Sequence, residues 1–302
     1  MTRVSFVMPA WKPSPAYIRR AVASVLREPG VDVELVVVDD GSPEPVAGML
    51  AGIADARLRI IRVEHGGVSR ARNAGTAAVS GDYVRFVDAD DVLVPGGTAR
   101  LLRHAAGADD VIGYGATLVC DEALRPVWTM KTSVQGDAVV ACLLGLFLVR
   151  PFSLLFPRRV LEATGDWDPG FTVAEDWDFV LRAVEHAAVR GDKEPVTLYR
   201  RHPASATADL AAGERGAYRV VERYFERHPD QRGTRLERRA RGRIEAQAAR
   251  VLLTHGSVRP ALRRLRRSDP VSVVQELRQA PLALAGKIRH RLRPGPSLED
   301  AL

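Results

Sequence analysis

The segment "SGDYVRFVDADDVLVP" (residues 80–95) joins an apolar run, Tyr83 to Val87, to three carboxylates in four positions, Asp88, Asp90 and Asp91. A run of that length, rich in aromatic and β-branched residues, reads as a buried strand. Like charges held so close raise one another's pKa unless a cation joins them, and nothing basic follows closely in the sequence. The segment therefore predicts a strand that ends at a charged rim where a ligand binds.

Upstream the same unit recurs. "VSFVMPA" (4–10), "VELVVVDD" (33–40) and "LRIIRV" (58–63) are short strand-like runs. In "SPAYIRRAVASVLRE" (14–28), Ile18, Val22, Val25 and Leu26 fall on one side at helical spacing. A second helix-like piece covers roughly residues 46 to 54, and "VSRARNAGTAAVS" (68–80) follows the glycine-rich loop "EHGG" (64–67). Strand and helix in alternation predict parallel pairing and a doubly wound α/β sheet. Ligands in such sheets bind outside the carboxyl ends of the strands. Pro9-Ala10-Trp11, Asp39-Asp40-Gly41-Ser42 and Asp88-Ala89-Asp90-Asp91 then share one rim.

Downstream the pattern loosens. Strand candidates lie at 111–120, 148–156 and 195–200, and "FTVAEDWDFVLRAVEHA" (171–187) reads as a loop running into a helix. Beyond His202 three arginine-rich helices are predicted within 212–229, 232–256 and 258–279. Charge divides the same way: residues 1–202 carry −3 and residues 203–302 carry +10, together the net +7. The 302 residues thus suit an α/β domain, 1–207, followed by a basic, mostly helical region, 208–302. The first apolar run is too short for a secretory signal. The longest, "VVACLLGLFLV" (139–149), falls short of the roughly 18 to 20 residues that span a bilayer. Cys120 and Cys142 form neither a disulfide framework nor a metal-ligand spacing. A cytoplasmic protein with reduced thiols is expected.

Acids at strand ends also serve as turn and cap residues, and Asp39-Asp40 alone could be read so. Three carboxylates on an apolar strand ask for more. Hard oxygen ligands suit Mg²⁺ or Mn²⁺, which bind through one or two carboxylates plus the phosphates of a substrate. A divalent ion with a diphosphate on its other side accounts for the cluster. The dinucleotide fingerprint G-x-G-x-x-G is absent after the first strand, where the chain reads "PAWKPSP" (9–15), and no G-x-x-x-x-G-K-[ST] occurs. Phosphotransferases of the haloacid-dehalogenase type carry D-x-D after the first core strand, whereas here it follows the fourth.

Together these landmarks resemble the family 2 glycosyltransferases, enzymes of GT-A fold that use nucleotide sugars. "VSFVMPAWKPSPAYIRRAVASVL" (4–26) is similar to their first strand and helix, and "ELVVVDDGS" (34–42) to their second-strand signature. "HGGVSRARNAGTAAVSGDYVRFVDADD" (65–91) resembles their loop, ARN-x-G helix and D-x-D strand. "VAEDWDFVLRA" (173–183) is similar to their ED segment and "YRRHPASAT" (199–207) to their closing strand and histidine. The resemblance implies a Rossmann-like, mostly parallel central sheet flanked by helices, with a C-terminal helical appendage.

It also implies an inverting, hexosyltransferase-type enzyme that moves a sugar from a nucleoside-diphosphate donor, a UDP-sugar above all, to a hydroxyl acceptor. Polysaccharide, cell-wall and natural-product biosynthesis are the processes such enzymes serve. Nucleotide binding then falls to Pro9, Trp11, Asp39, Asp40, Arg72, Asn73 and Asp88. Mn²⁺ or Mg²⁺ falls to Asp90 with Asp88 and His202, and Asp91 steadies Asp90. Asp176 is the implied general base, Glu175 and Asp178 compete for that role, and Trp177 and Asp178 border the sugar or acceptor pocket. Each has a structural alternative: Trp11 as core filling, His202 as a structural histidine, "EDWD" as the acidic first turn of a helix. Trp11 replaces the family's usual Tyr and Pro13 its usual Asn, and residues 110–165 carry no readable motif.

The basic end lies outside the resemblance. Arg259, Arg263, Arg264, Arg266 and Arg267 flank Leu262 and Leu265, and "PLALAGKIRHRLRP" (281–294) repeats the mixture. A basic amphipathic helix docks on anionic lipid, here at the inner face of the membrane. The alternatives are helices packed on the α/β domain with arginines in water, or a dimer contact. Nucleic acid is disfavoured, because stacking aromatics are nearly absent there. Two further functions stay open at this level: a catalytically idle GT-A-like scaffold recruited to a membrane, and a nucleotidyltransferase.

Overall fold

The computed structural model describes residues 1–108, 110–147, 150–202, 210–254, 256–268, 270 and 272–274. Its first part consists of β1 (Arg3–Ala10), α1 (Pro15–Leu26), β2 (Asp32–Asp39), α2 (Val46–Met49), β3 (Leu58–Arg62), α3 (Val68–Ala78) and β4 (Tyr83–Phe86). Strands β3, β2, β1 and β4 lie side by side in that order; all are parallel, and that pairing is what the alternation predicts. The inner strands are covered on both faces and so are largely apolar, whereas the edge strand β3 exposes Arg59 and Arg62. Phe6 and Met8 join one core with Val22, Leu35 and Val37, while Val7, Val36 and Val38 join the other with Ala71 and Phe86. Helix α1 opens on Pro15, where a missing N–H costs nothing, and buries Ile18, Val22 and Val25.

Beyond β4 the sheet becomes mixed. It continues through β5 (Val92–Leu93), α4 (Gly97–Ala105), β6 (Val111–Cys120), β7 (Pro126–Met130), α5 (Val139–Leu143), β8 (Leu154–Pro157), α6 (Arg158–Thr164), α7 (Glu175–Val184) and β9 (Ala188–Arg200). The strand order is β3-β2-β1-β4-β8-β6-β9-β5, with β7 hung on β6. Strand β8 runs antiparallel to β4 and β6, and β9 parallel to β6. The strand expected at 148–156 starts later. Pro151 opens a 3-10 turn through Ser153, so pairing begins only at Leu154. Strand β7, absent from the sequence-based expectation, begins on Pro126 and is a short edge strand of mixed polarity. Among the described residues no helix is long and apolar enough to cross a membrane.

Arg85, in the middle of β4, is wholly buried. Its guanidinium donates to Phe152 O (3.2 and 3.1 Å), Val196 O (2.8 Å), Thr98 Oγ1 (2.7 Å) and Thr197 Oγ1 (2.8 Å). One cation thereby ties β4, α4, β9 and the Pro151–Ser153 turn together, and burial lowers its pKa to about 10.

The three downstream helices are α8 (Leu210–Arg227), α9 (Arg235–Thr254) and α10 (Val258–Leu265). Val220, Val221, Tyr224 and Phe225 of α8 and Ala240 and Ile244 of α9 share the core of Val7, Phe86 and Phe156. The division drawn at residue 207 falls outside the described residues, and the core runs across it. Helix α10 is more peripheral: Ala261 is buried, but Val258 and Leu262 are 54% and 52% exposed.

Candidate active site

Strand β4 delivers the acidic turn. Val87 N–H donates to Val7 O (3.0 Å), keeping the chain in register with β1, and Asp91 N–H turns back to Asp88 O (3.1 Å). Partners that the neighbouring sequence lacks arrive from elsewhere. Arg72 Nη2 donates to Asp88 Oδ1 at 3.1 Å, and His202 Nε2 stands 2.9 Å from Asp90 Oδ2. Arg200 gives its backbone N–H to Asp91 Oδ1 (3.0 Å) and its Nε to Asp90 O (3.0 Å). The protein itself thus supplies part of the neutralisation, through Arg72 on α3 and Arg200 at the end of β9. Burial first, then Asp88, still push Asp90 up against the pull of His202. Asp91 is pushed well above the usual range by burial and by Asp90 and Asp88. Its Oδ2 has no hydrogen-bond partner among the described residues.

At the end of β2 two acids pin two loops. Asp39 Oδ1 accepts from Ser42 N–H (2.8 Å), and Oδ2 from Val46 N–H (3.1 Å) and Arg62 Nη1 (2.7 Å). Burial acts to raise the Asp39 pKa, but the two amides, the Ser42 hydroxyl and Arg62 outweigh it and hold it low. Asp40 Oδ1 accepts from Gly66 N–H (2.9 Å), and Oδ2 from Gly67 N–H (3.0 Å) and His65 Nδ1 (2.9 Å). Those are three of the roughly four acceptor positions of a carboxylate. One remains for an incoming donor. His65 stacks on Trp11 with ring centroids 3.8 Å apart, and Trp11 is 40% exposed. Trp11 is therefore a surface platform beside the buried Pro9, not core filling.

One side chain connects this rim to α7. Arg72 is buried, and Nη1 donates to Glu175 Oε1 (3.3 Å) while Nη2 holds Asp88. Burial would lower the Arg72 pKa; Asp88 and Glu175 more than offset it. Asn73 turns elsewhere: Nδ2 donates to Trp167 O (2.9 Å) and Oδ1 accepts from Trp167 N–H (2.8 Å). That closed pair fixes the indole ring whose centroid lies 4.4 Å from the Arg72 guanidinium.

Ala174 takes the left-handed conformation (φ +66°) immediately before α7. For a residue with a Cβ this costs on the order of 1–3 kcal/mol. Glu175, Asp176 and Asp178 then fall in the first turn. Asp176 Oδ1 accepts from Trp177 N–H (2.8 Å), and Oδ2 is ion-paired with Arg150. Burial acts to raise the Asp176 pKa, but Arg150 and then Arg72 override it and hold it below the usual range. Glu175 is pushed up by burial and by Asp176, against the pull of Arg72. Trp177 Nε1 donates to Cys142 O on α5 (2.9 Å). Asp178 lies about 200° further round the helix from Asp176. It pairs with Arg182 (2.9 Å) in a charged cleft shared with Asp168 and Arg223, so the fold does not bring it to the D-x-D turn.

The profile of glycosyl transferase family 2 matches residues 5–161, more than half of the chain. The chain belongs to that family. It is similar to the uncharacterized glycosyltransferase EpsJ of Bacillus subtilis, 36% identical over 223 residues, 68% of this chain and 62% of EpsJ. Succinoglycan biosynthesis protein ExoW of Rhizobium meliloti is 40% identical over 100 residues, 32% of this chain and 31% of ExoW. Succinoglycan biosynthesis protein ExoO of the same organism is 29% identical over 196 residues, 60% of this chain and 55% of ExoO. The chain thus spans less than two thirds of the length of these relatives.

For a divalent ion this family 2 chain offers Asp88 and Asp90, each with one oxygen outside its pair with Arg72 or His202. The orphaned Oδ2 of Asp91 adds a buried acceptor behind them. Among the described residues no three His, Cys, Asp or Glu side chains gather into a cage. The donor set fits a hard ion held by one or two carboxylates, with phosphate oxygens completing the shell. Three residues at the site escape sequence reasoning. Arg150 lies in the motif-free stretch, and His65 is masked by the glycines after it. Arg200 had a signal, its place two residues before His202.

Proposed function

We propose that this chain is a metal-assisted, inverting glycosyltransferase that moves a hexosyl unit from a UDP-sugar to a hydroxyl acceptor. The observation that carries this is Arg72. Its guanidinium joins Asp88 of the D-x-D turn to Glu175 at the head of α7, so the diphosphate end and the acceptor end lie one side chain apart. In this reading the nucleobase lies beside Trp11 and Pro9, and the open acceptor position on Asp40 takes an imide N–H. Asp39 shapes the same pocket through the loop it pins. Arg72 and Asp88 face the ribose and diphosphate, and Asn73 acts through Trp167. Asp90, with Asp88 and His202, would hold Mn²⁺ or Mg²⁺, which as a Lewis acid stabilises the departing diphosphate.

Asp176 takes the proton from the acceptor hydroxyl while the anomeric carbon gains oxocarbenium character and the sugar–phosphate bond breaks on the opposite face. Glu175 keeps Arg72 in place, and Trp177 borders the sugar. The names of ExoW and ExoO, succinoglycan biosynthesis proteins, support polysaccharide assembly as the process. We place the protein in the cytoplasm at the inner face of the membrane. There Val258 and Leu262, with Arg259, Arg263 and Arg266, would meet anionic lipid.

The test is a panel of UDP-sugars assayed for Mn²⁺-dependent UDP release. Asp176→Asn should cut turnover of the active donor by about 10²–10⁴-fold. Unchanged turnover removes Asp176 as the base.

A further inference from the structure

We infer that Arg150 serves two anions in turn: it holds the Asp176 carboxylate in the free protein and passes to the donor's diphosphate when that binds, releasing the base only once the donor is in place. The inference rests on reading the site as a nucleotide-sugar site.

Asp176 has two oxygens, and both are engaged. Trp177 N–H takes Oδ1 and Arg150 takes Oδ2. The guanidinium holds the Asp176 carboxylate below its ordinary pKa, so opening the pair makes it a stronger base toward an acceptor hydroxyl. Opening it with no replacement leaves two partly buried charges without a partner, which is unfavourable. An incoming phosphate removes that penalty. The planar guanidinium fork donates to phosphate oxygens as readily as to a carboxylate.

Of the three arginines at the site, Arg150 is the exposed one. Arg72 has one arm on Asp88 and the other on Glu175. Arg200 is buried against the backbone of the acidic turn. Among the described residues Arg150 makes one hydrogen bond, to Asp176, and its side chain is still 39% exposed. It also lies on the side of the D-x-D turn: Phe152, two residues on, stacks on Tyr199 of β9 with ring centroids 5.4 Å apart, and the next residue, Arg200, gives its N–H to Asp91 Oδ1. Two residues on, the backbone is held, since Arg85 donates to Phe152 O at 3.2 and 3.1 Å. The exchange therefore belongs to the side chain.

Calorimetric titration of the full chain in Mn²⁺, with UDP and separately with inorganic pyrophosphate, tests this through a double-mutant cycle. Asp176→Asn removes the competitor for Arg150, so both ligands should bind about three- to tenfold more tightly. Arg150→Gln should weaken both about tenfold, Arg150→Lys should fall between, and the double variant should match Arg150→Gln with no gain from Asn. Unchanged affinity in Asp176→Asn, or a gain that persists without Arg150, overturns the exchange while leaving UDP binding intact. A cycle seen with pyrophosphate but no UDP binding upholds the exchange and removes the nucleotide reading. A cycle seen only for inorganic phosphate added over saturating UDP assigns the anion to the acceptor and overturns the donor assignment. Absence of binding by either ligand to the wild type sinks both.

Discussion

Gly75 sets how closely α3, and with it Arg72, can approach the sheet. A Cβ there would stand 2.3 Å from Val7 Cγ1 and 3.0 Å from Val38 Cγ2, short buried side chains on two central strands. Helix propensity favours alanine by about 0.5–1 kcal/mol, whereas overpacking a core costs about 1–3 kcal/mol. Sterics should win. Gly75→Ala should therefore lower the unfolding free energy in a urea titration, and a more stable variant would show that α3 is not seated as described. Asp39 and Asp91 make a second contrast, since both are buried aspartates at strand ends. Four donors hold Asp39 low, whereas Asp91 keeps one orphaned oxygen beside two other acids and is driven up.

Among the elements, α8 governs the head of α7. A Cβ on Gly216 would meet Val173 O at 2.8 Å and Ala174 Cβ at 3.1 Å. The helix thus presses on the residue held at φ +66° before Glu175 and Asp176. Arg223 pairs with Asp168 (2.8 Å) and Arg227 with Glu185 (2.8 Å), anchoring α8 on both sides of α7. Gly213 of the same helix has open space around it. Gly213→Ala should raise stability by about 0.5–1 kcal/mol and leave UDP release unchanged. Gly216→Ala should lower turnover beyond any loss of melting temperature. Equal turnover in the two variants would show that α8 is only a structural cover.

At the scale of the molecule, the sequence read well where burial was two-sided and poorly where partners came from afar. Strands β1, β2 and β4 are near-continuous apolar runs, with acids closing β2 and β4, so their type, parallel pairing and shared rim could be reasoned out, though not their order. Strand β7 could not, because an edge strand starting on proline carries no such pattern. The acids Asp88, Asp90, Glu175 and Asp176 stood out as charges against apolar neighbours. Their partners did not. Arg72 and Glu175 are 103 positions apart and His202 and Asp90 112, separations that only packing closes. The division at residue 207 followed composition, which changes where the core does not. Helix α10 is where composition and exposure agree. The full chain should sediment with anionic vesicles at low salt, and replacing Arg259, Arg263 and Arg266 with Gln should weaken this on the order of 100-fold, about 1 kcal/mol per arginine. Equal binding to neutral vesicles would argue against an electrostatic dock.

A diphosphate held through a hard ion at the end of β4 makes the sharpest demand. UDP titrated into the full chain by calorimetry should bind about tenfold more tightly with Mn²⁺ than without it, and Asp90→Ala should erase that difference. Indifference to Mn²⁺ in the wild type, or a gain that survives Asp90→Ala, contradicts it.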